Sequence, residues 1–100
     1  MINFTTNNEY QGSNIEELFN AGFDEGAEFC TFNQAKKFYN LNGKELKGAK
    51  SCARLMKIVE KKVINKLTNK EEKKKVPNYF NVFERNHLEN TIKSNTGVVA

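Results

Sequence analysis

Two β-prone segments on either side of a charged, apolar-poor stretch constrain the fold of this chain more than any other feature. Residues 51–63 alternate weakly between apolar and polar side chains, although their composition also suits a helix. Residues 76–84 have Pro77 near their start, where a strand tolerates proline, and continue with aromatic and β-branched residues. Because a matching strand follows, we expect residues 51–63 to be a strand as well, and residues 65–75 to be a mobile connection or hairpin tip.

A capping-box pattern predicts a first short helix near the N-terminus. The Ser13 hydroxyl is placed to accept from first-turn amides, and the Glu16 carboxylate is placed to return the bond. The helix should run over residues 15–21 and end at Gly22. Its apolar side chains recur at helical spacing, which predicts one face packed on the core.

The same pattern occurs at Thr31 and Gln34 and predicts a second helix over residues 32–40. The sequence NLNG should then end it, with Gly43 in the left-handed conformation that a helix terminator needs. Farther along, residues 86–91 should form a brief helical turn capped by Asn86. These elements predict a single α+β domain in which two N-terminal helices pack on a short antiparallel sheet with a central hairpin. We expect residues 1–12 to be an N-terminal segment, 13–90 the folded core and 91–100 a frayed tail.

The charge is unevenly distributed along the 100 residues. Residues 1–35 contain six acidic side chains and no lysine or arginine, whereas residues 36–75 contain fourteen basic and four acidic side chains. A basic segment of this kind attracts phosphate backbones, because each neutralised phosphate releases counterions. A solvated lysine-rich face is the simpler interpretation. We favour phosphate binding because many of the basic side chains fall within one helix-turn-strand unit.

Aromatic side chains among these lysines indicate a single-stranded nucleic acid as the ligand. Such a strand is held by basic side chains along its backbone and by stacking of its bases on rings. Phenol rings tolerate partial exposure, so the tyrosines are better stacking candidates than Phe32, Phe38, Phe80 and Phe83, which we assign to packing. The predicted binding residues are Lys36, Lys37, Tyr39, Lys44, Lys47, Lys50, Arg54 and Tyr79.

The sequence offers little for catalysis or for a bound cofactor. Cys30 and Cys52 stand without a second cysteine pair, so we expect reduced core thiols and neither a zinc site nor a disulfide framework. His87 is the only histidine and lacks further ligands at helical spacing. The segment NGKELKG does not have the spacing of a phosphate loop, so its glycines indicate either close approach of amides to a phosphate or merely a tight turn. We expect a cytoplasmic protein without enzymatic activity, metal, cofactor or membrane segment.

The order of these motifs resembles the N-terminal domain of ArdC-type antirestriction proteins over residues 29–88. The resemblance lies in three groups of residues, namely Thr31, Phe32, Gln34 and Ala35, then Lys47, Gly48 and Lys50, then Tyr79, Asn81, Val82 and Phe83. Ser51 stands where that family tends to have a second glycine. These 100 residues do not include the metallopeptidase domain that follows in full-length relatives, so the resemblance does not imply its activity.

The resemblance implies binding of single-stranded DNA without sequence specificity. By analogy it also implies a phage- or plasmid-encoded counter-defence factor. The alternative is a protein-binding inhibitor, of the anti-CRISPR or antirestriction type, that docks on a host defence nuclease. Either the acidic first third, which imitates phosphates, or the basic half would then provide the docking surface.

Overall fold

The computed structural model describes residues 1–97 as three helices on a five-stranded curled sheet. The strands are β1 (Ile2–Asn3), β2 (Asn8–Glu9), β3 (Glu28–Cys30), β4 (Ala53–Ile64) and β5 (Glu71–Glu84), and the helices are α1 (Ser13–Asn20), α2 (Phe32–Phe38) and α3 (Arg85–Thr96). A 3-10 turn, Lys44–Leu46, precedes β4. The sheet order is β2-β1-β3-β5-β4, in which only β1 and β3 run parallel.

This architecture overturns the expected fold of two N-terminal helices on a short antiparallel sheet. Residues 1–12 are part of the sheet, since they supply β1 and β2, and a third helix of twelve residues follows the hairpin. The hairpin is not central, because β4 is an edge strand. Residues 91–96 continue α3 rather than fraying, and the end of the predicted frayed tail, residues 98–100, lies outside the described residues.

Helix α1 ends where the sequence predicts but begins differently. The amide of Phe23 donates to the carbonyl of Leu18, and Gly22, with φ of 96°, occupies the left-handed position of this terminator. At the N-terminus, however, Gly12 is the cap and no side chain caps the helix, so the predicted Ser13 capping box does not form. The side chain of Asn14 instead bonds both the amide and the carbonyl of Met56 at the outer edge of β4.

Helix α2 has the predicted capping box, in which the Thr31 hydroxyl accepts from the Gln34 amide and the Gln34 side chain accepts from the Thr31 amide. Its terminator is Asn40 rather than Gly43. Asn40 has a φ of 55°, and the next amide, that of Leu41, donates to the Lys36 carbonyl at 2.8 Å. Asparagine tolerates this left-handed position better than most residues, so the helix ends one turn before the glycine.

Gly43 has a different function, because it begins the 3-10 turn with a φ of 102°. A Cβ at this position would meet the Lys36 side chain at an ordinary 3.8 Å, so a substitution is opposed by backbone strain and not by a clash. We expect Gly43→Val to lower the free energy of unfolding by about 1–3 kcal/mol, measured by urea denaturation. Gly26→Ala is the control, since Gly26 lacks a positive φ, and it should unfold like the wild type. Equal stability of both variants would contradict the assignment.

The hairpin is longer than the sequence predicts. Strand formation by residues 53–64 agrees with the favoured interpretation of that segment, but β5 begins at Glu71 and includes five residues assigned to the connection. Residues 65–70 form the tip. We call residues 58–77 the arm: none of them is buried, and none belongs to either hydrophobic cluster. The arm extends the molecule to 62 × 30 × 21 Å.

Two hydrophobic clusters occupy opposite sides of the sheet, because Val82 and Phe83 point in opposite directions. The first cluster joins the residue after β1 to β3, β5, α2, the 3-10 turn and α3, and its buried members are Phe4, Cys30, Ala35, Leu46, Phe83 and Leu88. The second joins α1 to the base of the hairpin through Leu18, Phe29, Leu55 and Val82. The site predicted from the sequence lies mainly on the side of the first cluster, as shown below.

Candidate nucleic-acid interface

The exposed ring of Tyr79 and the guanidinium of Arg54 lie together at the base of the hairpin. Arg54 is opposite Asn81 in the register and Tyr79 is opposite Met56, so all four side chains share one face of the ribbon. The Arg54 guanidinium is 4.7 Å from the centroid of the Tyr79 ring, whose residue is 53% exposed. The structure therefore brings together these two predicted binding residues, and it leaves much of the ring open to solvent.

A second pair of a ring and a cation lies on the same side of the sheet. Phe83 faces the same way as Tyr79, four residues farther along β5, and packs against the Phe32 ring at 6.0 Å. The Lys36 ammonium is 5.9 Å from the Phe32 ring, and Phe32 is 38% exposed. The sequence predicts a packing role for Phe32, whereas more than a third of this residue is exposed. Phe32 is the first residue of α2, directly after the Thr31 cap. This position at the end of the helix is the signal in the sequence that its ring lies at the edge of the core and is partly exposed.

Lys36 and Lys37 also line a shallow surface pocket with two asparagine side chains. The pocket is formed by one side of α2 and by the residues of its terminator, namely Asn33, Lys36, Lys37, Asn40 and Leu41. Ammonium and amide groups are donors suited to phosphate oxygens. This part of the predicted site is thus a concave surface beside the Phe32 ring.

The 3-10 turn positions Lys44, Lys47 and Lys50, and α3 fixes its backbone. The Asn95 amide donates to the carbonyls of Glu45 and Lys47, both at 2.8 Å, and the Lys50 amide donates to Nε2 of His87 at 2.9 Å. Several amides of the turn are already used by carbonyls of the same turn. These contacts favour a tight turn over an amide cradle for phosphate. The three lysines are exposed, so any contact with an anion is through their side chains.

Tyr39 is in a different environment from Tyr79. Its ring lies 5.0 Å from that of Phe38 and 6.1 Å from that of Phe4, and its hydroxyl donates to a carboxylate oxygen of Glu89 at 3.2 Å. Burial, together with the Glu89 carboxylate, raises the pKa of Tyr39 to about 12. A base that stacked on Tyr39 would have to replace these contacts. Tyr39 is therefore a structural residue in this fold, in contrast to the exposed Tyr79.

The thiols and the imidazole are engaged within the fold. Burial raises the pKa of the Cys30 thiol to about 12 and also raises the pKa of Cys52, whose sulfur is 3.4 Å from the Val82 carbonyl. A thiol held in its neutral form is a poor nucleophile. His87 accepts from the Lys50 amide and therefore stabilises the turn. Within residues 1–97, no group of three or more His, Cys, Asp or Glu side chains is arranged to hold a metal ion.

Among residues 1–97, none of the helices has the length and apolar character that crossing a membrane requires. Comparison of the chain with protein-family models, with curated proteins and with solved structures finds no match.

Proposed function

We propose that the protein binds single-stranded nucleic acid on the side of the sheet that carries Tyr79. The observation that supports this most directly is the exposed Tyr79 ring beside the Arg54 guanidinium. Bases stack on exposed aromatic rings and on guanidinium planes, and sheet faces that present such rings are a common way to hold unpaired bases. A duplex hides the faces of its bases, so an exposed ring of this kind favours single strands.

The arrangement of basic side chains supports the same function. The Lys36 ammonium lies beside the Phe32 ring, and the exposed lysines of the 3-10 turn belong to a segment whose Leu46 packs in the first cluster together with Phe83. The Phe32 ring packs against Phe83, which lies four residues after Tyr79 in β5, or about 13 Å along the strand. A strand that crosses both rings would therefore have cations beside it along its path.

The resemblance to the N-terminal domain of ArdC-type antirestriction proteins supports single-stranded DNA as the nucleic acid. By the same analogy, we propose a phage- or plasmid-encoded counter-defence role. The residues that carry the resemblance include Gln34, which completes the α2 capping box, and Tyr79, which supplies the exposed ring. The proposal concerns binding only, since the thiols and the histidine have structural contacts.

Salt dependence tests this function. The affinity for an unstructured oligonucleotide, measured by fluorescence anisotropy, should fall log-linearly with salt, with a slope of about −0.7 for each phosphate contact. A duplex of the same sequence should bind more weakly than the single strand to the side of the sheet that carries Tyr79. This comparison is made with a variant whose arm lysines are replaced by Gln. Affinity that does not change with salt would exclude phosphate contacts as the basis of binding.

A further inference from the structure

The arm has an unusual distribution of charge for a strand pair. It contains seven lysines and three glutamates, and all ten side chains are exposed. The register places Lys61 opposite Lys74 and Lys62 opposite Lys73. Directly opposite residues have Cβ atoms only about 4.5–5.5 Å apart, so two like-charged pairs in succession oppose formation of the hairpin.

Within residues 1–97 none of these four lysines forms a salt bridge, although Glu60 lies opposite Lys75 on the face of Lys62 and Lys73. The salt bridges of the described residues are both made by Arg85, the first residue of α3. Glu71 and Glu72 are opposite apolar residues of β4, and Glu72 accepts instead from the Asn65 side chain. The fold itself gives no reason for the lysine pairs, whereas a polyanion would relieve the repulsion.

The lysines lie on both faces of the arm. Successive strand residues point to opposite sides, so Lys61 and Lys74 are on one face, and Lys62, Lys73 and Lys75 are on the other. A single strand follows one face of a sheet. A ribbon that is basic on both faces is suited to a ligand with phosphates on both sides of it, and the two backbones that border a duplex groove provide that arrangement.

The dimensions of the arm agree with this ligand. The major groove of DNA is about 12 Å wide and admits a two-stranded β-ribbon. The lysine pairs lie five to six residues from Tyr79 along β5, which is about 17–20 Å. The tip adds Lys66 and Lys70, and Leu67 there is 96% exposed. Lysines at the tip and in the middle of the arm are therefore spaced to follow a groove away from the Tyr79 ring.

We propose that the arm binds in the major groove of a duplex while the Tyr79 side holds an adjoining single strand. The preferred substrate is then DNA with a junction between duplex and single strand. The junction preference rests on the function proposed above, but groove binding by the arm does not.

The test compares three labelled DNAs by anisotropy: a single strand, a blunt duplex, and that duplex with the single strand as an extension. In one variant Lys61, Lys62, Lys73 and Lys74 are all replaced by Gln. Because this removes like-charge repulsion, the variant should melt no lower than the wild type. The wild type should bind the tailed duplex most tightly. The variant should lose affinity for both duplexes on the order of tenfold or more, with a salt slope smaller by about 0.9 per contact, and keep its single-strand affinity.

A matched control changes Glu60, Glu71 and Glu72 of the same arm to Gln, and duplex binding should then become tighter. Equal affinity of the wild type for the tailed duplex and the single strand, or an equal loss by the lysine variant on all three DNAs, would overturn the inference. Displacement of the duplex by poly-glutamate at matched charge would also overturn it, since an acidic protein would then serve equally well. Arm-dependent duplex binding without single-strand binding would leave the arm assignment standing and refute the proposed function.

Discussion

Tyr79→Ala should weaken binding of a single-stranded oligonucleotide by roughly 5- to 150-fold, which corresponds to the loss of about 1–3 kcal/mol of stacking on one base. The ring is half exposed and its described aromatic contact is with the Arg54 cation, so its removal should change the stability of the fold little. Isothermal titration at fixed salt measures the affinity, and thermal melting measures the stability.

Two controls separate stacking from a structural effect. Tyr79→Phe retains the ring and should bind nearly as well as the wild type. Tyr39→Ala should instead lower the melting temperature, because that ring packs against Phe4 and Phe38 and bonds Glu89. Unchanged affinity in Tyr79→Ala would show that the ring does not contact bases.

Reversal of Lys44, Lys47 and Lys50 to Glu should abolish oligonucleotide binding in physiological salt. Three lost phosphate contacts should reduce the salt slope by about 2, and the new carboxylates repel the remaining phosphates. The fold should persist, because α3 fixes this turn through backbone atoms and exposed charges contribute only about 0–1 kcal/mol each. Electrophoretic mobility shift with a circular-dichroism spectrum of each variant measures both effects.

The matched control changes Glu16, Glu17, Asp24 and Glu25, which are exposed acidic residues, to Gln. Removal of negative charge should leave binding unimpaired or slightly tighter.

A different set of results identifies the rival function, a protein that inhibits a host defence nuclease by docking on it. A docking inhibitor would have no oligonucleotide affinity in the wild type, would recover a nuclease complex from host lysate, and would lose that complex when its docking surface, either the turn lysines or the acidic residues, is altered.

The sequence predicts those parts of the fold in which local chemistry determines the backbone. The Thr31 and Gln34 side chains satisfy amides only three residues away, and Gly22 provides a left-handed position at no steric cost, so both signals can be read without tertiary contacts. The prediction of a strand over residues 51–63 is less direct. It depends on the turn-like residues 44–51 before it and on the matching segment that contains Tyr79 and Phe80, since the composition also suits a helix.

Other features depend on contacts that the sequence does not show. Strands β1 and β2 have two residues each, too few for any alternation, and they exist because β3 pairs with β1. The outer part of the arm has no buried face, so its residues carry no apolar period to mark them as a strand. The Ser13 capping box is not formed because Gly12 caps α1 in its place. In the candidate site, the charge of Arg54 and the phenol ring of Tyr79 mark both residues in the sequence as candidates for binding. The exposure of Phe32 and the packing of Tyr39 depend instead on how α2 lies against the rest of the fold, which the sequence does not show.

The elongated shape has a consequence for the length of nucleic acid that one molecule covers. A compact chain of 100 residues has a radius of gyration of about 13 Å, whereas this one has 17.2 Å. With its 62 Å axis along the proposed junction of duplex and single strand, the protein would span a length equal to roughly 18 base pairs at about 3.4 Å each. An 11.5 kDa chain would thereby occlude a longer stretch of nucleic acid than a compact chain of the same size.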